Sequence, residues 1–440
     1  MLSLIHLSFL LFVGQTIGIP RGSPDNDFGQ DQNRSTLVLA PTPLRAIPRG
    51  FKTPLPFDED IFDPTHVSNE ITRVLSKYEG AADHLAGITL STSAVLTPNV
   101  SIPLPDVLRS NVMPLTGHFN RNLDLLYFGE VRVGTPVQSL TVQVDTGSAD
   151  LWVPANCPKC AGKQFKPGQS RTYQRREGTF EEYYGRGHVS GTIASDIVSI
   201  SGLYVEDQVF GAVTEKSEEF SRDPNNGLLG LAFKDIARTD QPTFFENLVE
   251  KKRILPLFSV HLTRRQKDGS ELCFGCSDET KTIGDTVWVP LLSRSYWAIF
   301  MNGISVNESR TIDTSLVAAI DTGTSLIYVP DSVADDFYAQ IPGSRKVTQF
   351  GPNFYSYPCA WDIAPSLTFN DHRFTLDLKD FNLGRTGYGS QDCVGGIMAL
   401  GDLGDKLAII GAEFVKSWYT TFDYAETGRI GFSPSINQRG

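Results

Sequence analysis

The sequence predicts an all-β chain built as two echoing halves behind a long leader. Three observations carry this. From about Leu123 the chain breaks into short runs of alternating apolar and polar residues separated by turn signals. The stretch Val144-Asp145-Thr146-Gly147-Ser148 returns about one domain length later as Ile320-Asp321-Thr322-Gly323-Thr324. Downstream of the first Asp lies Gly227-Leu228-Leu229-Gly230-Leu231, and downstream of the second lies Leu407-Ala408-Ile409-Ile410-Gly411.

At 440 residues the chain has length for two or three domains, each able to bury a core. Apolar residues at 40% and charged ones at 20% are ordinary for a globular protein. A net charge of −11 and a pI near 5.2 argue against nucleic acid and anionic membrane surfaces as partners.

The first residues read as a secretory signal, 1–18, with the apolar run Leu7–Val13 and small residues Gly14 and Gly18. That run is too short to span a bilayer, and no second run of about twenty apolar residues follows. A polar stretch from about Ile19 to Pro64 shows no strong periodicity. Between Ser68 and Tyr78 the residues Ile71, Val74, Leu75 and Tyr78 recur at helical spacing, and Lys77-Tyr78-Glu79-Gly80 predicts that the helix ends at Gly80. Asn33, Asn99 and Asn307 each open an Asn-x-Ser glycosylation sequon.

Strand-like runs then cover Tyr127–Val133, Leu140–Val144, His188–Ile200, Val205–Val213, Phe258–Leu262 and Val287–Pro290. In the second half they cover Thr311–Ile320, Ser366–Phe369, Phe374–Leu378, Leu407–Ile410 and Thr420–Phe422. Helices are predicted at Thr243–Lys252, Ser332–Gln340 and Glu413–Trp418. Six cysteines on an export route suggest disulfides. Cys157/Cys160 and Cys273/Cys276 are tight pairs, with Cys359 and Cys393 further apart. A four-Cys zinc site across the two tight pairs is the alternative, and free thiols or other pairings remain open, above all for Cys273 and Cys276.

Each Asp-Thr-Gly delivers an acid at the end of an apolar run. Gly147 and Gly323 allow a sharp turn and the close approach of another backbone. Thr146 and Thr322 carry hydroxyls able to tie the turn down. Alone, either turn is compatible with a structural role. If the two turns face each other, their carboxylates cannot both ionise and must share a proton. That splits the acid and base roles needed to add water to a carbonyl.

With these motifs in this order, the chain resembles the pepsin-like aspartic endopeptidases from about Leu123 to Pro434. Matching elements are Tyr127-Phe128-Gly129, Gly134-Thr135-Pro136, Asp145-Thr146-Gly147-Ser148, Leu151-Trp152-Val153-Pro154, Tyr184-Gly185-Arg186-Gly187 and Gly227–Ala232. Tyr296-Trp297, Asp321-Thr322-Gly323-Thr324-Ser325, Cys359…Cys393 and Ile409-Ile410-Gly411 complete the set. The Cys-x-x-Cys after the first motif is most similar to secreted fungal members.

The resemblance implies a bilobal all-β fold with a cleft between lobes, in which Asp145 and Asp321 activate water without cofactor or metal. It implies that Ser148 and Thr324 hydrogen-bond the outer carboxylate oxygens, and that Thr146 and Thr322 lock the turns across the lobes. Tyr184, Gly185, Arg186 and Gly187 would form a flap over an extended polypeptide, with Trp152 bonded to Tyr184. Expected boundaries are a signal at 1–18, a pro-segment at 19–115, an N-terminal lobe at 116–285 and a C-terminal lobe at 286–440. Lys77 and Tyr78 resemble the Lys-Tyr step by which such pro-segments plug the dyad, with self-processing expected near Arg109–Thr116. The product is expected to be a monomer that binds no nucleic acid or membrane and is secreted, or delivered to a vacuole.

Departures from the family pattern are Arg186 at the flap tip, Ala149 for a frequent Ser, Cys276 for a common Gly, and no Cys pair before Asp321. These leave the usual disulfide set in doubt. A cation at Arg186 is expected to disfavour basic residues beside the scissile bond. A serine hydrolase is disfavoured because no Gly-x-Ser-x-Gly occurs, and a zinc peptidase because no His-Glu-x-x-His occurs. The remaining rival is a catalytically silent member that keeps the fold for binding or inhibition.

Overall fold

Alternation with a period of two dominates the chain from Val112 onward, and β-sheet is what it forms. The computed structural model describes residues 45–46, 61–86, 111–184, 187–217, 224–307, 310–401 and 404–439. All lie in one compact unit, Thr42–Gly440. The proposed signal, Asn33, Asn99, Gly185 and Arg186 lie outside the described residues.

The two halves contain the same strand arrangement. In the first, Gln138–Asp145 pairs antiparallel with Leu123–Val133 and parallel with Gly227–Gly230, placing Asp145 opposite Gly230. In the second, Arg310–Ile320 pairs antiparallel with Trp297–Asn307 and parallel with Leu407–Ile410, placing Ile320 opposite Ile410. Each parallel partner also pairs antiparallel with the short strand after the Asp turn, Leu151–Pro154 or Ile327–Val329. The repeated apolar-apolar-Gly is thereby explained. A Cβ at Gly230 would strike the Ala149 backbone, and one at Gly411 the Leu326 carbonyl oxygen.

A six-stranded antiparallel layer joins the halves. Its order is Val112–Asn120, Ser270–Phe274, Leu257–His261, Trp418–Asp423, Arg429–Pro434 and Val287–Arg294. The 115/116 boundary of the expected pro-segment runs through the first of these strands. One continuous apolar core lies under both halves, with Trp297, Phe258 and Phe422 packed ring on ring at its centre.

Five helices decorate the sheets among the described residues: α1 Pro64–Ala86, α2 Phe244–Glu250, α3 Asp331–Ala339, α4 Leu378–Phe381 and α5 Ala412–Ser417. Thr243 and Glu246 close a capping box on α2. Two sequence expectations are corrected. The helix does not end at Gly80, because Val67, Ile71, Val74, Tyr78, Ala81 and Leu85 form one buried stripe at spacings of three and four. Packing of that stripe outweighs the roughly 1 kcal/mol cost of a helical Gly. The run Phe374–Leu378 is not one strand: His372–Thr375 is extended, and Asp377 then caps α4 through the Lys379 amide at 2.9 Å.

The leader runs onto the second half. Arg45–Ala46 pairs with Trp361–Asp362, and the Phe62 amide donates to the Arg385 carbonyl at 2.9 Å. Helix α1 then packs its stripe against Leu326, Tyr328, Phe354, Met398 and Leu400.

Candidate active site

The two strands that end in Asp145 and precede Asp321 arrive from opposite halves, and the residues after them interlock. Thr322 Oγ1 accepts from the Thr146 amide at 3.1 Å and donates to the Val144 carbonyl at 3.0 Å. Reciprocally, Thr146 Oγ1 accepts from the Thr322 amide at 3.0 Å and donates to the Ile320 carbonyl at 2.8 Å. Each buried hydroxyl thus uses both of its capacities, and the four bonds form an approximate twofold lock.

Above the lock the carboxylates meet. Gly147 and Gly323 amides each donate to the inner oxygen of their own Asp at 2.9 Å. Ser148 Oγ donates to the outer oxygen of Asp145 at 2.5 Å, and Thr324 Oγ1 to that of Asp321 at 2.6 Å. Both acids are buried. A Cβ at Gly323 would run into the Asp145 carboxylate, and one at Gly147 would meet the Asp321 carboxyl carbon at 2.6 Å. This is the close approach that requires glycine.

Lys77 on α1 enters this site. Its Nζ lies 2.6 Å from Asp145 Oδ1 and 3.0 Å from Asp321 Oδ2, and the Tyr78 hydroxyl donates to Asp321 Oδ2 at 3.1 Å. Tyr78 also packs on Tyr296, ring centroids 5.5 Å apart. Burial pushes both aspartates upward. For Asp145 burial wins, helped by its negative neighbour, and its carboxyl is held above the usual range. For Asp321 the Lys77 charge and the bonds from Asp145, Thr324 and Lys77 outweigh burial and hold it below. Lys77, although buried, is held more basic than a free lysine by the two acids.

The remaining expected residues are distributed as follows. Gln174–Tyr184 and Gly187–Ile200 form a hairpin in which Tyr184 pairs with Gly187. Gly185, Arg186 and the Tyr184 side chain lie outside the described residues, and with them the expected bond to Trp152. Trp152 is buried beneath this hairpin among Phe180, Val189, Val213 and Leu228, and the Lys216 ammonium stands 5.7 Å from its ring. Cys157–Cys160, Cys273–Cys276 and Cys359–Cys393 are bonded pairs. This corrects the zinc alternative, since no thiolate is left for a metal, and answers the doubt over Cys276. Among the described residues no group of three or more His, Cys, Asp or Glu side chains is placed to hold a metal. Asn307 ends its strand at a partly exposed position, and the Ser309 of its sequon lies outside the described residues.

Sequence reading missed two acids near the site. Glu70 binds the chain just after the second Asp turn; its spacing of seven from Lys77, which shares its helix face, was the available signal. Glu182, on the strand leading to Tyr184, pairs with Arg238 at 3.1 Å, and burial pushes its carboxyl up to about 7.

The model of the eukaryotic aspartyl protease family matches residues 126–435. An aspartic protease of Phaffia rhodozyma is 35% identical over 319 residues, covering 71% of this chain and 76% of that protein. Cathepsin E of Mus musculus is 35% identical over 329 residues, 71% of this chain and 81% of its own. Major aspartyl peptidase 1 of Cryptococcus neoformans var. grubii is 32% identical over 341 residues, 71% of this chain and 69% of its own. With both Asp turns inside the matched span, the chain belongs to the eukaryotic aspartyl protease family and is a pepsin-like aspartic endopeptidase.

Proposed function

We propose that this endopeptidase is made as a secreted zymogen in which Asp145 and Asp321 form the catalytic dyad and Lys77 plugs it. The observation that carries this is the Lys77 ammonium held between both carboxylates, with Tyr78 on Asp321. A cation in that place neutralises the like-charge pair and occupies the position where an attacking water must stand.

Once Lys77 leaves, the pair shares one proton, as dyads of this family do. The ionised carboxylate takes a proton from water as the water oxygen bonds to the scissile carbonyl carbon. The protonated carboxyl gives its proton to the carbonyl oxygen. The carboxyl that took the water's proton then gives it to the amide nitrogen, the C–N bond breaks, and the other carboxylate takes back a proton from the diol, releasing a carboxylic acid and an amine. No acyl-enzyme forms. Ser148 and Thr324 hold the outer oxygens, the Thr146–Thr322 lock fixes the spacing, and the hairpin ending at Tyr184 closes over an extended polypeptide as a lid.

Residues 1–18 are the signal in this reading, 19–115 the pro-segment, and 116–285 and 286–440 the lobes of a secreted monomer. Val112–Leu115 pair into the six-stranded layer, which favours processing at Arg109–Asn111 within the expected Arg109–Thr116 stretch and would move the end of the pro-segment there from 115. Arg186 at the flap tip and glycosylation at Asn307 belong to the same reading. The silent-member alternative is weakened because both acids and their supporting hydroxyls are present.

The test is cleavage of a denatured protein after acid treatment, with and without a transition-state peptide inhibitor. Inhibitor-sensitive cleavage is expected from wild type. Lys77→Gln should begin cleaving about one pH unit nearer neutrality. A correctly folded, acid-treated sample that cleaves nothing would support the silent alternative.

A further inference from the structure

Alternation along the strand Gln174–Tyr184 turns Phe180 and Glu182 inward and leaves Glu181 and Tyr183 out in solvent. An acid therefore occupies an inward position of the hairpin, two residues after a fully buried Phe180. The Glu182 side chain is 15% exposed and meets Arg238, itself 59% exposed, at 3.1 Å. Asp150 fixes the loop that carries Arg238 to the body. The Arg238 amide donates to Asp150 Oδ2 at 2.6 Å, and the Thr239 amide and hydroxyl donate to Oδ1 at 3.1 and 2.7 Å. Two negative groups act on Glu182 from the body side, Asp150 and the dyad's Asp145. Tyr296 shares these surroundings, where it also feels Asp321 and Lys77 of α1, the helix that packs along the same strand.

We propose that seating of this hairpin on the body takes up a proton at Glu182, so that acid draws the hairpin down and neutral pH loosens it. This rests on the reading of the hairpin as a lid over an extended polypeptide. Glu182 is then a positioning residue: it touches neither substrate nor water, and acts through the strand that carries it.

The balance of forces gives the direction. The Arg238 guanidinium stands largely in water, where an ion pair is worth little. Burial of Glu182 outweighs it, and the negative charges of Asp150 and Asp145 add repulsion, so the carboxyl is pushed up to about 7. On a lifted strand the same carboxyl meets water and returns towards its ordinary 4.5. The seated hairpin therefore holds this proton more tightly than the lifted one. Seating is favoured in full below about pH 4.5 and loses that advantage as pH climbs through about 7. The gap corresponds to on the order of a hundredfold in the seating equilibrium. The dyad itself works with one shared proton, so the lid and the chemistry respond to acid in the same direction.

The experiment is steady-state cleavage of one soluble peptide by acid-activated wild type and Glu182→Gln, from about pH 4.5 to about pH 7. Gln keeps the shape of the side chain and cannot ionise. The dyad titrates in both enzymes, so the ratio of their kcat/KM values isolates Glu182. That ratio is expected to shift about tenfold in favour of Glu182→Gln across the range, carried by KM rather than kcat. Glu182→Leu, which also cannot ionise, is expected to show the same slope. A ratio constant within about twofold, or one that moves the other way, overturns the coupling while leaving the protease reading intact. Failure of acid-activated wild type to cleave either the peptide or a denatured protein overturns the dyad reading itself. Where neither variant folds, amide hydrogen exchange of the uncut wild-type chain decides. Corrected for intrinsic rates, the amides of Gln174–Tyr184 and Gly187–Ile200 are expected to exchange severalfold faster at about pH 7.5 than at about pH 5.5, and equal protection overturns the coupling.

Discussion

Thr146 and Thr322 show how little chemistry is needed to hold two acids at one point. Each hydroxyl accepts one backbone N–H and donates to one carbonyl from the opposite half. Thr146→Val keeps the volume and removes both bonds, leaving the Thr322 amide without its acceptor. We expect a loss of about 1–3 kcal/mol in stability, read as a lower denaturation midpoint, with kcat falling more than KM rises. A Thr146→Ser variant should restore most of both. The Asp-Thr-Gly repeat was legible in the sequence because its chemistry is local: strand, acid, hydroxyl, glycine. Glu70 was not, because its partners at Ser325, Leu326 and Tyr328 lie more than 250 positions away and nothing in Asn69-Glu70-Ile71 marks it as buried.

At the scale of the element, the proposed role of helix α1 is to govern access to the dyad. Its docking has a pH dependence whose sign follows from Asp321. That carboxyl is held low by Lys77, so its contribution is full above the ordinary Asp value of 3.8 and is lost as pH falls through the lowered value. Glu70 has the opposite sign: raised by burial, it is most comfortable docked when protonated, so acid does not expel it. Undocking leaves both acids as a buried pair that shares one proton, so release takes up a proton and is expected to set in as pH falls, followed as the appearance of cleaving activity against pH. Gly80 offers a handle that touches no partner, since a Cβ there would meet nothing within 4 Å. Gly80→Ala should strengthen the helix by about 1 kcal/mol and shift activation to lower pH. An unchanged or higher activation pH would count against α1 acting as the plug. The sequence revealed the first half of this helix through its periodicity. It obscured the second half, because a lone Gly reads as a stop unless the burial of Ala81 and Leu85 is known.

Across the whole molecule, the six-stranded layer ties the halves together and buries charge beside it. Lys416 lies 2.7 Å from Asp124 and 2.9 Å from Glu413, with Asp380 at 3.7 Å, all of them buried. Burial pushes Glu413 up to about 8, beyond what Lys416 takes back. A raised acid contributes stability that is complete below its ordinary value of 4.5 and disappears as pH climbs through about 8. Glu182 and Glu271, each pushed to about 7 first by burial, add the same sign. Thermal stability should accordingly fall between about pH 4.5 and 8, and Glu413→Gln should flatten that decline; a midpoint constant across the window would contradict the assignment. The two-half plan was legible because it is written twice in the chain. The joining layer was not, since its strands come from four separate stretches, Val112–Asn120, Leu257–Phe274, Val287–Arg294 and Trp418–Pro434, and the three pairings that join these stretches span long separations that no local pattern encodes.

The central claim is that two acids from the two halves make one catalytic site. Its most direct test is the initial rate of peptide-bond cleavage at acid pH by purified, acid-treated Asp145→Asn beside wild type, with circular dichroism confirming that both are folded. The account predicts a rate lower by a factor on the order of 10⁴. A folded Asp145→Asn enzyme that cleaves at the wild-type rate would contradict it.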